Sequence, residues 1–323
     1  MPDKPKIALY WCASCGGCDE AVVDLGEGVL TLTESVDIAF WPVALDGKRS
    51  DVERLAERAL LATLINGAVR NSEQEEMAHL LRAKSKYVIA FGACAHLGGI
   101  PGLANLYSRR DILTTVFTDS PSTEQNAVLP RTDTLDEMHA LGLPEFRETV
   151  KTLDQIIAVD YYIPGCPPTR KIVTAALQAL VSGELPERGT VLAPNVALCE
   201  ECPRKESKPE KLSIDSLHRT YEIEIDPEKC LLAQGIVCLG MGTRAGCDAA
   251  CICGNMPCTG CFGPTDRVRD QGAKLLSGLA SSLSATESHS IDLVLAELPD
   301  EVGTFYRYSL PGSLLQRALI HSK

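Results

Sequence analysis

Aromatic side chains are scarce: six Phe, two Trp and eight Tyr amount to 5% of 323 residues. The cores must therefore be aliphatic. Basic residues are outnumbered, 31 Lys and Arg against 43 Asp and Glu, giving a formal net charge of −12. Nothing resembles a basic stripe, which argues against nucleic acid as a partner and disfavours an anionic membrane surface. No apolar run approaches the roughly 18 residues of a spanning helix, so no direct membrane insertion is expected. The stretch from Met1 to Pro5 is short and polar, with no apolar leader core and no twin-arginine signal. The chain reads as cytoplasmic. Cysteine, finally, is missing from 19–93.

Elsewhere cysteine is abundant. Fourteen are present, in a chain whose 45% apolar and 23% charged content is that of a globular protein of two domains or one large one. In the cytoplasm disulfides are rare and cysteine clusters signal metal. A secreted disulfide framework is the alternative, and the crowding of the cysteines into loops speaks against it.

The organising stretch is Trp11-Cys12-Ala13-Ser14-Cys15-Gly16-Gly17-Cys18-Asp19-Glu20. It follows a short apolar strand over Lys6–Tyr10 and precedes a helical pattern from Glu20 to Leu30. Further strands are predicted at Asp37–Phe40, Thr63–Ile65, Tyr87–Phe91 and Ala158–Ile163, with helices over Asp51–Leu61, from a Ser72 cap (capping-box partner Glu75) to Arg82, and from a Thr169 cap through Arg170–Ser182. This alternation predicts an α/β doubly wound parallel sheet. Residues 109–150 are weakly patterned. Cys94, in Gly92-Ala93-Cys94, and Cys166, in Gly165-Cys166-Pro167-Pro168, occupy the same place after their strands as Cys15 and Cys18 do after the first. Four thiolates from three strand ends can converge at the sheet edge where α/β folds bind ligands, and four cysteines match the ligation of a [4Fe–4S] centre.

Beyond a linker at 184–189, nine cysteines fall among 63 residues, Cys199 to Cys261, in a segment dense in Gly and Pro. Such a segment has little apolar pattern of its own and is expected to fold around metal. A zinc ribbon built on Cys199-x2-Cys202 and Cys258-x2-Cys261 would leave five cysteines idle, whereas two four-cysteine clusters use eight of the nine. Residues 265–285 look helical and 286–323 mixed.

The motifs Ser14-Cys15-Gly16-Gly17-Cys18-Asp19-Glu20, Gly92-Ala93-Cys94 with Gly98-Gly99-Ile100-Pro101-Gly102, and Gly165-Cys166-Pro167-Pro168 together resemble the small subunit of [NiFe]-hydrogenases. The wider superfamily includes a subunit of respiratory NADH:quinone oxidoreductase. That relative carries an adjacent cysteine pair, which Gly16-Gly17 interrupts here. The run from Cys230 to Asn255-Met256-Pro257-Cys258-Thr259-Gly260-Cys261 is similar to the cytoplasmic methyl-viologen-reducing, heterodisulfide-reductase-linked, and deazaflavin-reducing branch.

The resemblance implies a flavodoxin-like domain over 1–185 with a proximal [4Fe–4S] cluster on Cys15, Cys18, Cys94 and Cys166. It also implies a smaller ferredoxin-like iron–sulfur domain over 190–265. There two further [4Fe–4S] clusters would use Cys199, Cys202, Cys230, Cys238, Cys247, Cys251, Cys258 and Cys261, with a C-terminal scaffold over 266–323. The partners implied are a [NiFe]-hydrogenase large subunit and a downstream electron-acceptor subunit carrying flavin or iron–sulfur centres. No catalytic residue is expected on this chain, which would relay single electrons. The alternatives are an iron–sulfur adaptor of a heterodisulfide-reductase-like or quinone-reducing complex, and a structural zinc module. Cys12 and Cys253 fall outside the ligand pattern, although Cys12-x2-Cys15-x2-Cys18 also fits the start of a ferredoxin-type run. His96 and Glu20 are candidates for tuning or proton relay, with a structural role as the alternative. Trp11 is expected at the subunit interface or in the core.

Overall fold

The computed structural model describes residues 4–124, 128–136, 139–284, 296–298 and 300–318. Its centre is a five-stranded, all-parallel sheet of β1 (Lys6–Trp11), β2 (Asp37–Phe40), β3 (Leu60–Asn66), β5 (Ser85–Phe91) and β9 (Tyr161–Ile163), in the order β2-β1-β3-β5-β9. Counting only these five, the order is 2-1-3-4-5. That is the flavodoxin-like winding, whose switch point lies between the first and third strands.

Strand periodicity divides the core into two layers. Ile7, Leu9, Ala62, Leu64, Ile89 and Phe91 face α1 (Gly17–Val23), α2 (Glu27–Ser35) and a helix over Arg170–Ser182. Ala8, Ile65, Val88 and Ala90 face α3 (Arg49–Glu53) and α4 (Ser72–Lys84). The helix over Arg170–Ser182 buries Ile172, Val173, Ala176, Leu177 and Leu180, one stripe at helical spacing. It begins at the Thr169 cap, whose hydroxyl accepts the Ile172 N–H, and ends at Gly183 in the left-handed region.

Several expected boundaries move. The helix predicted over 20–30 is two helices, because the chain passes through Gly26 at φ 59°. The helix predicted over 51–61 stops at Glu53, since Leu60 already belongs to β3 and is fully buried. The α4 cap is Asn71, not Ser72. The Asn71 side chain accepts the Gln74 N–H at 2.9 Å and the Gln74 side chain accepts the Asn71 N–H at 3.2 Å, a complete capping box. The two residues expected in those roles are engaged elsewhere: Ser72 Oγ accepts the Glu145 N–H and Glu75 pairs with Arg147. The weakly patterned 109–150 region holds a short helix over Arg109–Thr114, an antiparallel pair of β6 (Asp133–Asp136) with β7 (His139–Gly142), and β8 (Phe146–Lys151), which pairs with β4 (Val69–Asn71).

From about residue 190 the described chain is mostly turns and short 3-10 segments around two small cores. One joins Leu232, Leu239, Leu275 and Leu279 to Phe305, Tyr306 and Leu310; the other contains Leu198, Leu231, Ile236 and Ile252. Of the expected helix over 265–285, Gln271–Ala280 is helical and 285 lies outside the described residues, as does much of the mixed stretch 286–323. The cysteine-rich part packs on the sheet's helical layer through Phe262, Cys247 and Cys261. Arg244, 1% exposed, pins the seam: its guanidinium donates to the Pro264 and Pro194 carbonyls and pairs with Asp266.

Candidate metal centres

The first centre grows from the carboxyl ends of β1, β5 and β9. After β1, Cys12 N–H donates to Asn66 O, and Gly16 at φ 87° turns the chain into α1, leaving Cys15 exposed and Cys18 buried in the first helical turn. After β5, Gly92 at φ 86° leads into a short helix over Ala93–Leu97 that carries Cys94. After β9, Gly165 at φ 127° precedes Cys166. The last two loops are stitched together, Gly92 N–H donating to Ile163 O and Ala93 N–H to Gly165 O. The four thiols become neighbours. Burial pushes Cys18 up, and Cys94, Cys166 and Cys15 each add to the rise. Burial likewise takes Cys94 up to about 12, with Cys166 and Cys15 adding and the Ile100 N–H, which donates to the sulfur, opposing.

Two glycines keep backbone close to those sulfurs. A Cβ at Gly92 would collide with Cys18 Sγ, and one at Gly99 (φ 58°) with Cys94 Sγ and Cα. This cradle of thiols, small residues and N–H donors suits an iron–sulfur cluster. Among the described residues no group of three or more His, Cys, Asp or Glu closes on one point tightly enough to hold a metal ion.

A buried polar bracket, not foreseen from the sequence, braces the first loop. Asp19, 4% exposed, accepts Trp41 Nε1–H and Asn66 Nδ2–H, each at 2.7 Å, and Ser14 Oγ donates to Asn66 Oδ1 at 3.0 Å. Asn66 ends β3, so the bracket crosses the switch point and ties the Cys15–Cys18 loop to the neighbouring strand. The only signal in the sequence was an acid beside Cys18.

The other cysteines form two further groups. Burial raises Cys199 to about 11; Lys208 opposes this, and Cys238, Cys202 and Cys230 add to it. Cys230 N–H donates to Ser207 Oγ at 2.8 Å, holding the loop after Cys202 against this group. Cys247, raised first by burial, also feels Cys251. Cys261, taken by burial to about 12, feels Cys166, Cys247 and Cys251. Cys258, raised by burial, lies beside both Cys238 and Cys261. Two contacts join the groups: Cys166 N–H faces the Cys261 sulfur, and Cys258 N–H donates to Cys238 Sγ at 3.4 Å. The spatial sequence is therefore the Cys166 group, then the Cys261 group, then the Cys238 group.

Cys12 stands apart. It packs with Ala8, Phe40 and Val69 in the opposite layer, and burial alone takes its thiol up to about 12. Cys253 is exposed, its sulfur 3.7 Å from Asp248 O. His96 lies against the Tyr162 ring, centroids 4.6 Å apart; burial first and Arg244 second push it down to about 3, and its Nδ1 is buried with no hydrogen-bond partner among the described residues. Glu20 is exposed in the first turn of α1. Trp11 is not a core residue: it is 41% exposed against Gly16, its Nε1–H donating to Ser14 O.

Residues 15–180 match the family described as the NADH ubiquinone oxidoreductase, 20 Kd subunit. Over 318 residues, 97% of this chain and 98% of the relative, the sequence is 38% identical to the iron-sulfur subunit of the F420-non-reducing hydrogenase of Archaeoglobus profundus. It is 37% identical over 319 residues, 98% and 97% of the two chains, to the corresponding F420-non-reducing hydrogenase chain of Methanothermobacter thermautotrophicus. Among solved structures, the [NiFeSe] hydrogenase of Desulfovibrio vulgaris Hildenborough shares the fold, with a TM-score of 0.53 at 18% identity over 82% of this chain and 95% of that one. No helix among the described residues is long and apolar enough to cross a membrane.

Proposed function

The chain belongs to the family of hydrogenase small, iron–sulfur subunits, and from that premise we propose that it holds three [4Fe–4S] clusters in a row between a Ni–Fe large subunit and a downstream acceptor. Cys15, Cys18, Cys94 and Cys166 would hold the first; Cys247, Cys251, Cys258 and Cys261 the middle one; and Cys199, Cys202, Cys230 and Cys238 the outermost. When bound, such clusters supply one-electron redox capacity.

The chain's own residues do the rest. Gly92 and Gly99 bring backbone against the first thiols, Ile100 N–H donates to the Cys94 sulfur, and the Asp19–Trp41–Asn66 bracket fixes the loop that presents Cys15. Burial of Cys18, Cys94 and Cys258 excludes water, while exposed Cys15 and Trp11 mark the face we assign to the large subunit. In this reading residues 1–185 carry the first centre, 190–265 the other two, and 266–323 form a C-terminal scaffold or partner-contact segment, in a protein of the cytoplasm.

The observation that carries the proposal is the continuity of the three thiol groups through the Cys166–Cys261 contact and the Cys258–Cys238 backbone bond. The test is iron, nickel and zinc analysis of the anaerobically purified native complex, together with hydrogen-driven viologen reduction. About twelve iron atoms per chain, nickel in the partner and viologen reduction are expected. Near-stoichiometric zinc with little iron would overturn the cluster reading. Intact clusters in a nickel-free, hydrogen-inert assembly would overturn the hydrogenase assignment.

A further inference from the structure

The C-terminal segment returns across the molecule to the loop that carries Cys94. Gly99 N–H donates to Tyr308 O at 2.9 Å, and Gly312 N–H to Leu97 O at 3.2 Å. The Pro311 ring lies where a Cβ on either Gly98 or Gly102 would collide with it, and Gln155 Nε2–H donates to Pro311 O at 2.9 Å. The loop and the strap are therefore fitted to each other with no room for a side chain between them.

Tyr308 reaches in a second direction. Its hydroxyl lies 3.2 Å from Thr259 Oγ1, and Thr259 stands between Cys258 and Cys261. One half-buried residue thus holds the Cys94 loop through its backbone and the Cys258–Cys261 turn through its side chain. The thiols on both sides register it. Burial pushes the phenol up, the Thr259 bond opposes this, and Cys261 and Cys166 then add to it.

On the three-cluster reading above, we propose that Tyr308 is a positioning residue that sets the separation and relative orientation of the first and middle thiol groups. The first and middle groups meet where Cys166 N–H faces the Cys261 sulfur and where Phe262, Cys247 and Cys261 pack on the sheet's helical layer. The Tyr308 strut adds a brace on the Cys94 side. Electron tunnelling falls steeply with distance, so a residue that fixes the gap governs the rate without touching a cluster.

The test uses the native complex with Tyr308→Phe, Thr259→Val and the double variant. Each single change removes one hydroxyl of the pair and leaves the ring and the Gly99 bond in place. The readouts are iron content, the magnetic spin–spin splitting between the reduced first and middle clusters, and hydrogen-driven viologen reduction. Iron should be unchanged, the splitting altered, and the rate lowered about threefold in each single variant, because small misplacements cost rate steeply. The double variant should go no further, since both changes break one bond. Unchanged splitting in all three variants would overturn the proposal, as would additive effects. Loss of iron from Tyr308→Phe would also overturn it, since the residue would then retain a cluster rather than space two. A wild-type complex with no such splitting would instead show that the three-cluster reading itself had failed.

Discussion

Replacing Cys12 separates a ligand from a bystander. The residue lies three positions before Cys15, yet it is 6% exposed in the layer containing Ala8, Phe40 and Val69, and burial is the sole cause of its raised pKa of about 12. Cys18, by contrast, feels three other thiols. Cys12→Ala removes one buried sulfur and should cost about 1 kcal/mol. Cys12→Ser puts a hydroxyl into an apolar pocket and should cost about 1–3 kcal/mol if no partner is found. The two variants therefore rank by polarity, and neither should release iron.

The pH dependence adds a second arm. A thiol whose folded pKa lies above its ordinary 9.0 contributes stability that is fully present below about pH 9 and is lost as pH rises through about 12. The full shift corresponds to a loss on the order of 4 kcal/mol. Cys12→Ala lacks that loss, so its deficit against the parent should shrink and then reverse above pH 9. Iron per chain and unfolding midpoints from pH 7 to 11 are the measurements. Loss of about four iron atoms from Cys12→Ala would make Cys12 a ligand and redraw the first centre. Parallel stability curves would refute the buried neutral thiol.

At Gly99, alanine would force φ 58° on an L side chain and drive its Cβ into the Cys94 sulfur, so Gly99→Ala should lower iron by about four atoms per chain in elemental analysis. Asp19→Asn should lower stability by about 1–3 kcal/mol in thermal melts, since its amide nitrogen, itself a donor, must face either Trp41 Nε1–H or Asn66 Nδ2–H. Cys253, exposed and outside the thiol groups, should be the first cysteine alkylated in the native anaerobic complex; peptide mapping that finds Cys251 labelled first would exchange their roles.

Much of the site was legible because parallel α/β strands end together. Once Tyr87–Phe91 and the strand ending at Ile163 were read as strands of the same parallel sheet as the first, Cys94 and Cys166 were expected at the same sheet edge as Cys15 and Cys18. The Thr169 cap was legible for a local reason: its hydroxyl and the N–H it satisfies are three residues apart. Local signals failed where tertiary partners decided between equals. Asn71-x2-Gln74 and Ser72-x2-Glu75 both spell a capping box, and the choice rests on Glu145 and Arg147, more than 70 residues away. The grouping of the C-terminal cysteines was invisible for the same reason, because Cys258 touches Cys238 across 20 residues and Cys261 touches Cys166 across nearly a hundred. The Tyr308 contact had no motif at all.

The order of the thiol groups in space differs from their order along the chain. In the proposed relay Cys199, Cys202, Cys230 and Cys238 would be outermost yet precede along the chain Cys247, Cys251, Cys258 and Cys261, which would sit in the middle; Tyr308, proposed to brace the inner junction, comes later still. On the three-cluster reading, a truncated chain that ends before Cys247 carries ligands for both ends of its wire and none for the centre, so it has no continuous path for electrons until the last cysteines are in place.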